Sequence, residues 1–155
     1  MKILKNLLSR LLQVAFIFAL SGTIYVCMEM LFRGYSHWSM WVLAGICGVI
    51  IALVNNGIFL SSKTPFELQV AFCSACCVAG EYIAGLIVNQ DFQVWDYREM
   101  IGTFAGGQLN VFFIMAWIII CIFGIPFLDW IEWKLLNGRK PVYEFLFKQK
   151  GERQL

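Results

Sequence analysis

Two carboxylates stand where carboxylates are expensive. Glu29 and Glu81 each lie within a long apolar stretch of a 155-residue chain, and an acid in such surroundings must be paired, neutralised or hydrated. Glu29 has Arg33 four residues on, so one turn of helix puts both on one face and allows an ion pair. Glu81 has no such neighbour; Tyr82 is adjacent, and Arg98 lies within reach if the following loop folds back. A protonatable acid facing a bundle interior is the usual element of a proton-coupled carrier, while an acid bonded across a helix interface is the structural alternative. Asp96 and Arg98 join them in an expected polar cluster on the outer side, and Asn55 with Asn56 is placed to hydrogen-bond between helices or to line a polar path. The expected substrate or proton-binding set is therefore Glu29, Arg33, Asn55, Glu81, Asp96 and Arg98.

The elements that must position these groups follow from composition. Hydrophobic residues make up 60% of the chain and charged residues 14%, against roughly a quarter charged in an ordinary soluble domain. Four apolar runs reach the length of about 20 residues that a hydrocarbon core demands: Leu11 to Phe32, Met40 to Leu60, Phe66 to Val88 and about Leu109 to Leu128. The first follows Lys2, Lys5 and Arg10, but it is too long for a signal peptide and carries no small-x-small cleavage site before Glu29, so it reads as a retained helix. The expected fold is all-α, an integral membrane four-helix bundle over residues 1–128 with a tail at 129–155.

Basic residues set the orientation. Lys2, Lys5 and Arg10 precede the first run, and Lys134, Arg139, Lys140, Lys148, Lys150 and Arg153 follow the last, which places both ends in the cytoplasm. The Lys63 loop is then inside, and the Arg33–Ser39 and Asn89–Arg98 loops outside. Trp95 and Tyr97 belong to the outer aromatic belt. Trp130 and Trp133, interleaved with Lys, mark an amphipathic segment on the inner surface facing anionic lipid, with docking of a soluble partner as the competing reading.

The halves also share a pattern. Glu29, Trp38-Ser39-Met40 and Gly45 in the first are matched by Glu81, Trp95-Asp96-Tyr97 and Gly102 in the second, the Gly following the Trp by seven residues each time. Since both halves start from the inside, a duplication would be parallel. Small residues at four-residue spacing, such as Ala44, Gly48 and Ala52 or Ala71, Ala75 and Ala79, form stripes suited to close helix packing or a tight oligomer.

Other chemistries leave no signature. There is no nucleotide-binding glycine loop, no nucleophile with a base and acid, and no basic surface suited to nucleic acid, so a non-enzyme without cofactor is expected. All six cysteines, Cys27, Cys47, Cys73, Cys76, Cys77 and Cys121, fall inside apolar runs, where a thiol is usually a small hydrophobe. Cys73, Cys76 and Cys77 at one-turn spacing keep a soft-metal site as the lesser reading, and no metal site is assigned.

At Gly22 to Glu29 with Arg33, at Gly80-Glu81-Tyr82-Ile83-Ala84-Gly85, and at Trp95-Asp96-Tyr97 followed by Gly102, the chain resembles the ABC-transporter permease family of type IV, small multi-span membrane proteins of bacteria. The similarity runs from Gly22 to about Trp117. The family's Gly-Pro-Tyr-Cys-Pro-like stretch has no counterpart, since Gly45 to Asn56 contains no proline. The resemblance implies a transporter or permease in the bacterial cytoplasmic (inner) membrane, working as a homo-oligomer or beside membrane or ATP-binding subunits. The alternative is a scaffold or regulator that binds a partner membrane protein.

Overall fold

A computed structural model of the chain describes residues 2–54, 56, 58–61, 63–136 and 138–146. It is all-α: four helices, α1 Lys2–Arg33, α2 Trp38–Leu53, α3 Phe66–Val88 and α4 Val111–Leu135, with one antiparallel pair of two-residue strands, β1 Thr103–Phe104 and β2 Leu109–Asn110, in the loop between α3 and α4. Three of these helices, α1, α3 and α4, are long and apolar enough to cross a membrane; α2 is apolar but shorter. That is the make-up of a multi-pass membrane protein.

α2 packs against all three other helices, and α1 packs chiefly along α2. Small residues permit that approach. A Cβ on Gly22 would meet the Trp41 carbonyl oxygen at 2.6 Å, and one on Gly45 the Phe18 ring at 2.7 Å. The buried seam between α3 and α4 repeats every four residues, Gln69, Cys73, Cys77, Glu81 and Gly85 on one helix and Trp117, Cys121, Ile125 and Asp129 on the other, which is the spacing that keeps one helical face toward a neighbour. Large apolar side chains such as Leu31, Ile87, Ile119 and Phe123 are exposed, as lipid-facing residues would be.

The helix ends have local causes. α2 starts where the ring nitrogen of His37 accepts from the Ser39 amide at 3.3 Å, so the only histidine is a cap. It stops at Leu53, short of the expected Leu60. Asn56 donates its amide to the Ala52 carbonyl at 3.2 Å and takes up a helix-terminal acceptor. α3 matches its expected span; Pro65 precedes it, and the Phe66 amide donates to the Glu144 carbonyl at 2.7 Å. α4 starts at the Asn110 cap, whose side chain accepts from the Phe112 amide at 2.9 Å.

α4 also runs past the expected end at Leu128 to Leu135, so Trp130 and Trp133 lie on this helix and not in a separate interfacial tail. Trp130 is exposed. The Trp133 ring lies under two cations, with Lys134 Nζ 3.9 Å and Lys140 Nζ 5.8 Å from its centroid. Residues 138–146 fold back over the bundle end: the Tyr143 hydroxyl donates to Asp129 at 2.6 Å and its ring packs edge-on against Phe66. The rest of the expected tail, residues 147–155, lies outside the described residues.

Candidate functional site: two buried carboxylates at one end of the bundle

The site lies where the C-terminal part of α1, the later turns of α3, the start of α4 and the α3–α4 loop meet. Glu29 is 7% exposed and Glu81 4%. Their partners differ in kind.

Glu29 is neutralised. Arg33 Nη1 donates to its Oε1 at 2.9 Å, Ser36 Oγ to its Oε2 at 2.6 Å, and the Tyr25 hydroxyl to Oε1 at 3.3 Å. The expected one-turn ion pair forms. The other Arg33 nitrogen donates to the Val94 carbonyl at 2.9 Å and to the Tyr35 hydroxyl at 2.8 Å, so this guanidinium ties the end of α1 to the α3–α4 loop.

Among the described residues Glu81 has neutral donors only. The Tyr97 hydroxyl donates to Oε1 at 3.0 Å and the Trp117 indole N–H to Oε2 at 2.7 Å. Among the described residues no cation stands at ion-pair distance from it. The two donors are not equivalent. An indole N–H can only donate, which fixes Oε2 as an acceptor, whereas a phenol donates or accepts. A proton on Oε1 is therefore accommodated by reversing one hydrogen bond, with neither oxygen orphaned. The two acids are linked through the α3–α4 loop, since Arg33 beside Glu29 donates to the Val94 carbonyl and Tyr97 of the same loop donates to Glu81.

The loop that carries Tyr97 is held by a buried amide network. Asn89 accepts from the Val94 and Trp95 amides at 2.9 and 3.1 Å and donates to the Trp95 carbonyl at 2.7 Å and Gln108 Oε1 at 3.0 Å. Gln108 donates back to the Asn89 carbonyl at 3.0 Å. The Tyr97 ring stacks on Phe113 with centroids 4.4 Å apart, and its carbonyl accepts from Thr103 at 2.6 Å. Burial of the Tyr97 phenol, with Glu81 beside it, holds its pKa above the ordinary value. Asn89 and Gln108 were not in the expected set because nothing in the sequence separates them from other loop amides.

Three expectations need correction. Asp96 and Arg98 do not join the carboxylate cluster; they pair with each other at 2.6 Å on the exposed face of the loop, and Arg98 lies over the Phe92 ring at 4.1 Å. The Arg98 hydrogen bonds hold the Asp96 carboxyl low, at about 2. Trp95 is not a belt residue, since it is 4% exposed with its indole donating to the Gln108 carbonyl at 3.2 Å. Tyr97 is likewise inside, at 8%. In both cases the loop doubles back over the helix ends and turns the ring into the protein. Asn55 lies outside the described residues.

Sequence reasoning also missed Asp129, a third buried acid, at 6% exposure in α4. Following the apolar run directly, it falls at the start of the expected tail. Its presence on the four-residue repeat from Trp117 was the available signal.

No family model, no curated protein and no solved structure matches the chain.

Proposed function

We propose that the protein is a small transporter or permease of the bacterial inner membrane, with an outward-facing polar site built around Glu81 and the Glu29–Arg33 pair. The observation that carries this reading is the setting of Glu81: a buried acid on a helix seam, held by two neutral donors, one of which can reverse. Each carboxyl oxygen can keep a partner in either protonation state, which favours a role in proton uptake and release. The permease class rests on the resemblance at Gly80-Glu81-Tyr82-Ile83-Ala84-Gly85 and Trp95-Asp96-Tyr97, and work beside a second copy or an ATP-binding subunit comes with that class. The basic flanks support both ends inside, and the matched Glu, Trp and Gly pattern supports parallel halves. Reporter fusions after Lys63, after Asp91 and at Leu155 should read cytoplasm, outside and cytoplasm; a cytoplasmic signal after Asp91 overturns the topology.

The functional test is Glu81→Gln, which keeps shape and hydrogen bonding and removes the titratable proton. It should insert at wild-type yield while pH-dependent flux in proteoliposomes is lost. A variant equal to wild type in both measures leaves the second reading ahead: a scaffold that binds a partner membrane helix. The observation favouring that alternative is a groove of about 660 Å³ between α3 and α4, lined by Ala71, Ala75, Ala79, Ile114 and Ile118, open enough for a neighbouring helix to approach closely.

A further inference from the structure

The carboxylate site occupies one end of α4, and the other end gathers cations that nothing pairs. Lys134, in the last turn of the helix, and Lys140, in the segment that folds back, both stand over the Trp133 ring, their Nζ atoms 3.9 and 5.8 Å from its centroid. The two ammonium groups are thus less than about 10 Å apart, within roughly one Debye length at 0.1 M salt, and repel each other. Among the described residues neither has a carboxylate at ion-pair distance. Nor does either lysine, or the Trp133 indole N–H, donate a hydrogen bond among them. The acids beside them in sequence are engaged elsewhere: Glu132 accepts from Asn56 at 3.5 Å and Asp129 from Tyr143 at 2.6 Å. Lysine and tryptophan at a helix end are ordinary interfacial anchors. Here, though, two segments bring two unpaired cations to one ring, an arrangement that an anion between them would relieve.

We propose that this end of α4 binds one anionic glycerophospholipid, its phosphate held by Lys134 and Lys140 and an acyl chain lying along the exposed face of the helix. That face is continuous. Met115, Ile119, Phe123, Phe127, Trp130 and Lys134 follow one another at three- or four-residue spacing, which keeps them on one side of α4, and all are exposed. An apolar strip that ends in a cation matches a phospholipid, whose chain and phosphate come in the same order. The charge count selects the headgroup. A phosphodiester with no cation of its own, as in phosphatidylglycerol, neutralises one of the two ammonium charges, whereas a choline headgroup brings a third to the same place. The Trp133 N–H, a donor that cannot accept, suits a phosphate oxygen as well. Lysine stems lie along apolar surface with the ammonium at headgroup level, so both can reach a phosphate at the membrane boundary. Free phosphate would satisfy the cations and leave the strip unused. The site does not rest on the transport reading. On the proposed topology its lipid lies in the inner leaflet.

The full chain, purified in neutral detergent micelles, is offered equal amounts of palmitoyl-oleoyl phosphatidylglycerol and phosphatidylcholine, and the lipid retained is counted by native mass spectrometry. Wild type should keep one lipid, phosphatidylglycerol over phosphatidylcholine by roughly twentyfold, since each lysine near a headgroup adds about fivefold. Lys134→Gln and Lys140→Gln should each cut the preference about fivefold, and the double variant should remove it. Both lysines are exposed, so the variants should fold. Lys63→Gln takes the same charge from a lysine that does not stand over Trp133, and should leave the preference intact. Inorganic phosphate at the lipid's concentration should displace nothing. Equal retention of the two lipids by wild type, a preference that survives the double variant, an equal loss in Lys63→Gln, or displacement by phosphate would each overturn the proposal. None of these results depends on whether flux is found.

Discussion

Tyr97→Phe isolates one atom of the candidate site. Phenylalanine keeps the ring, and with it the stack on Phe113 at 4.4 Å and 19°. Only the hydroxyl that donates to Glu81 Oε1 at 3.0 Å is lost. Both groups are buried, so water does not replace the donor, and leaving a buried acceptor unsatisfied costs about 1 to 3 kcal/mol. The size of the loss also reports the charge on Glu81: hydrogen bonds to ionised groups contribute about 1.5 to 3 kcal/mol and those between neutral groups about 0.5 to 1.5. Reversible unfolding in micelles measures the loss, and a cycle with Glu81→Gln separates the cases. If Glu81 is ionised, Tyr97→Phe should destabilise wild type by roughly 1 kcal/mol more than it destabilises the Gln background; if neutral, the two losses should agree. A Tyr97→Phe change smaller than about 0.5 kcal/mol, the ordinary scatter of surface substitutions, would refute the account of a buried, obligatory hydrogen bond.

Gly22→Ala should destabilise the α1–α2 contact by about 1 to 3 kcal/mol, because the new Cβ meets a backbone carbonyl that no rotamer change can move. Gly124→Ala is the control, its Cβ lying 3.7 Å from Ile51; it should be neutral or stabilise by up to about 1 kcal/mol through helix propensity, and equal losses for the pair would sink the packing argument. The tail contact should be sensitive to alkali. Burial and the bond to Asp129 raise the Tyr143 phenol above its ordinary value, so its contribution is complete below a pH of about 10 and declines as pH rises toward the raised native value. Tyr143→Phe should remove that alkaline loss from an unfolding profile, and an unchanged profile would show that the contact contributes nothing.

Helix existence could be read from apolar length, and α3 came out with both ends right because Pro65 and Asn89 bound an uninterrupted run. The Glu29–Arg33 pair was equally legible, being a contact within one helix. Errors arose where particular side-chain contacts outweighed the apolar pattern. α2 stops early because Asn56 caps it, although the apolar run goes on through Ile58 and Phe59. α4 continues past Leu128, and Asp129, the first residue beyond it, is taken up by Tyr143, a partner 14 positions away in sequence. The grouping of Asp96 with Glu81 failed for a related reason: proximity in sequence to Tyr97 says nothing about which side chain of the loop turns inward, and the Asn89–Gln108 amide network decides that.

The unequal helix lengths bear on the lipid around the protein. At about 1.5 Å per residue, the 32 residues of α1 extend about 48 Å and the 16 of α2 about 24 Å, against a hydrocarbon thickness of about 30 Å. Part of the α2 surface is uncovered, with Ile46 exposed. On the proposed four-span topology the bilayer thins beside α2, while α1 passes beyond the acyl layer or tilts. A lipid annulus compressed on one flank favours neighbours that share the mismatch and membranes that are thin to begin with. Residence and association would then vary with acyl-chain length, even with no specific contact between chains.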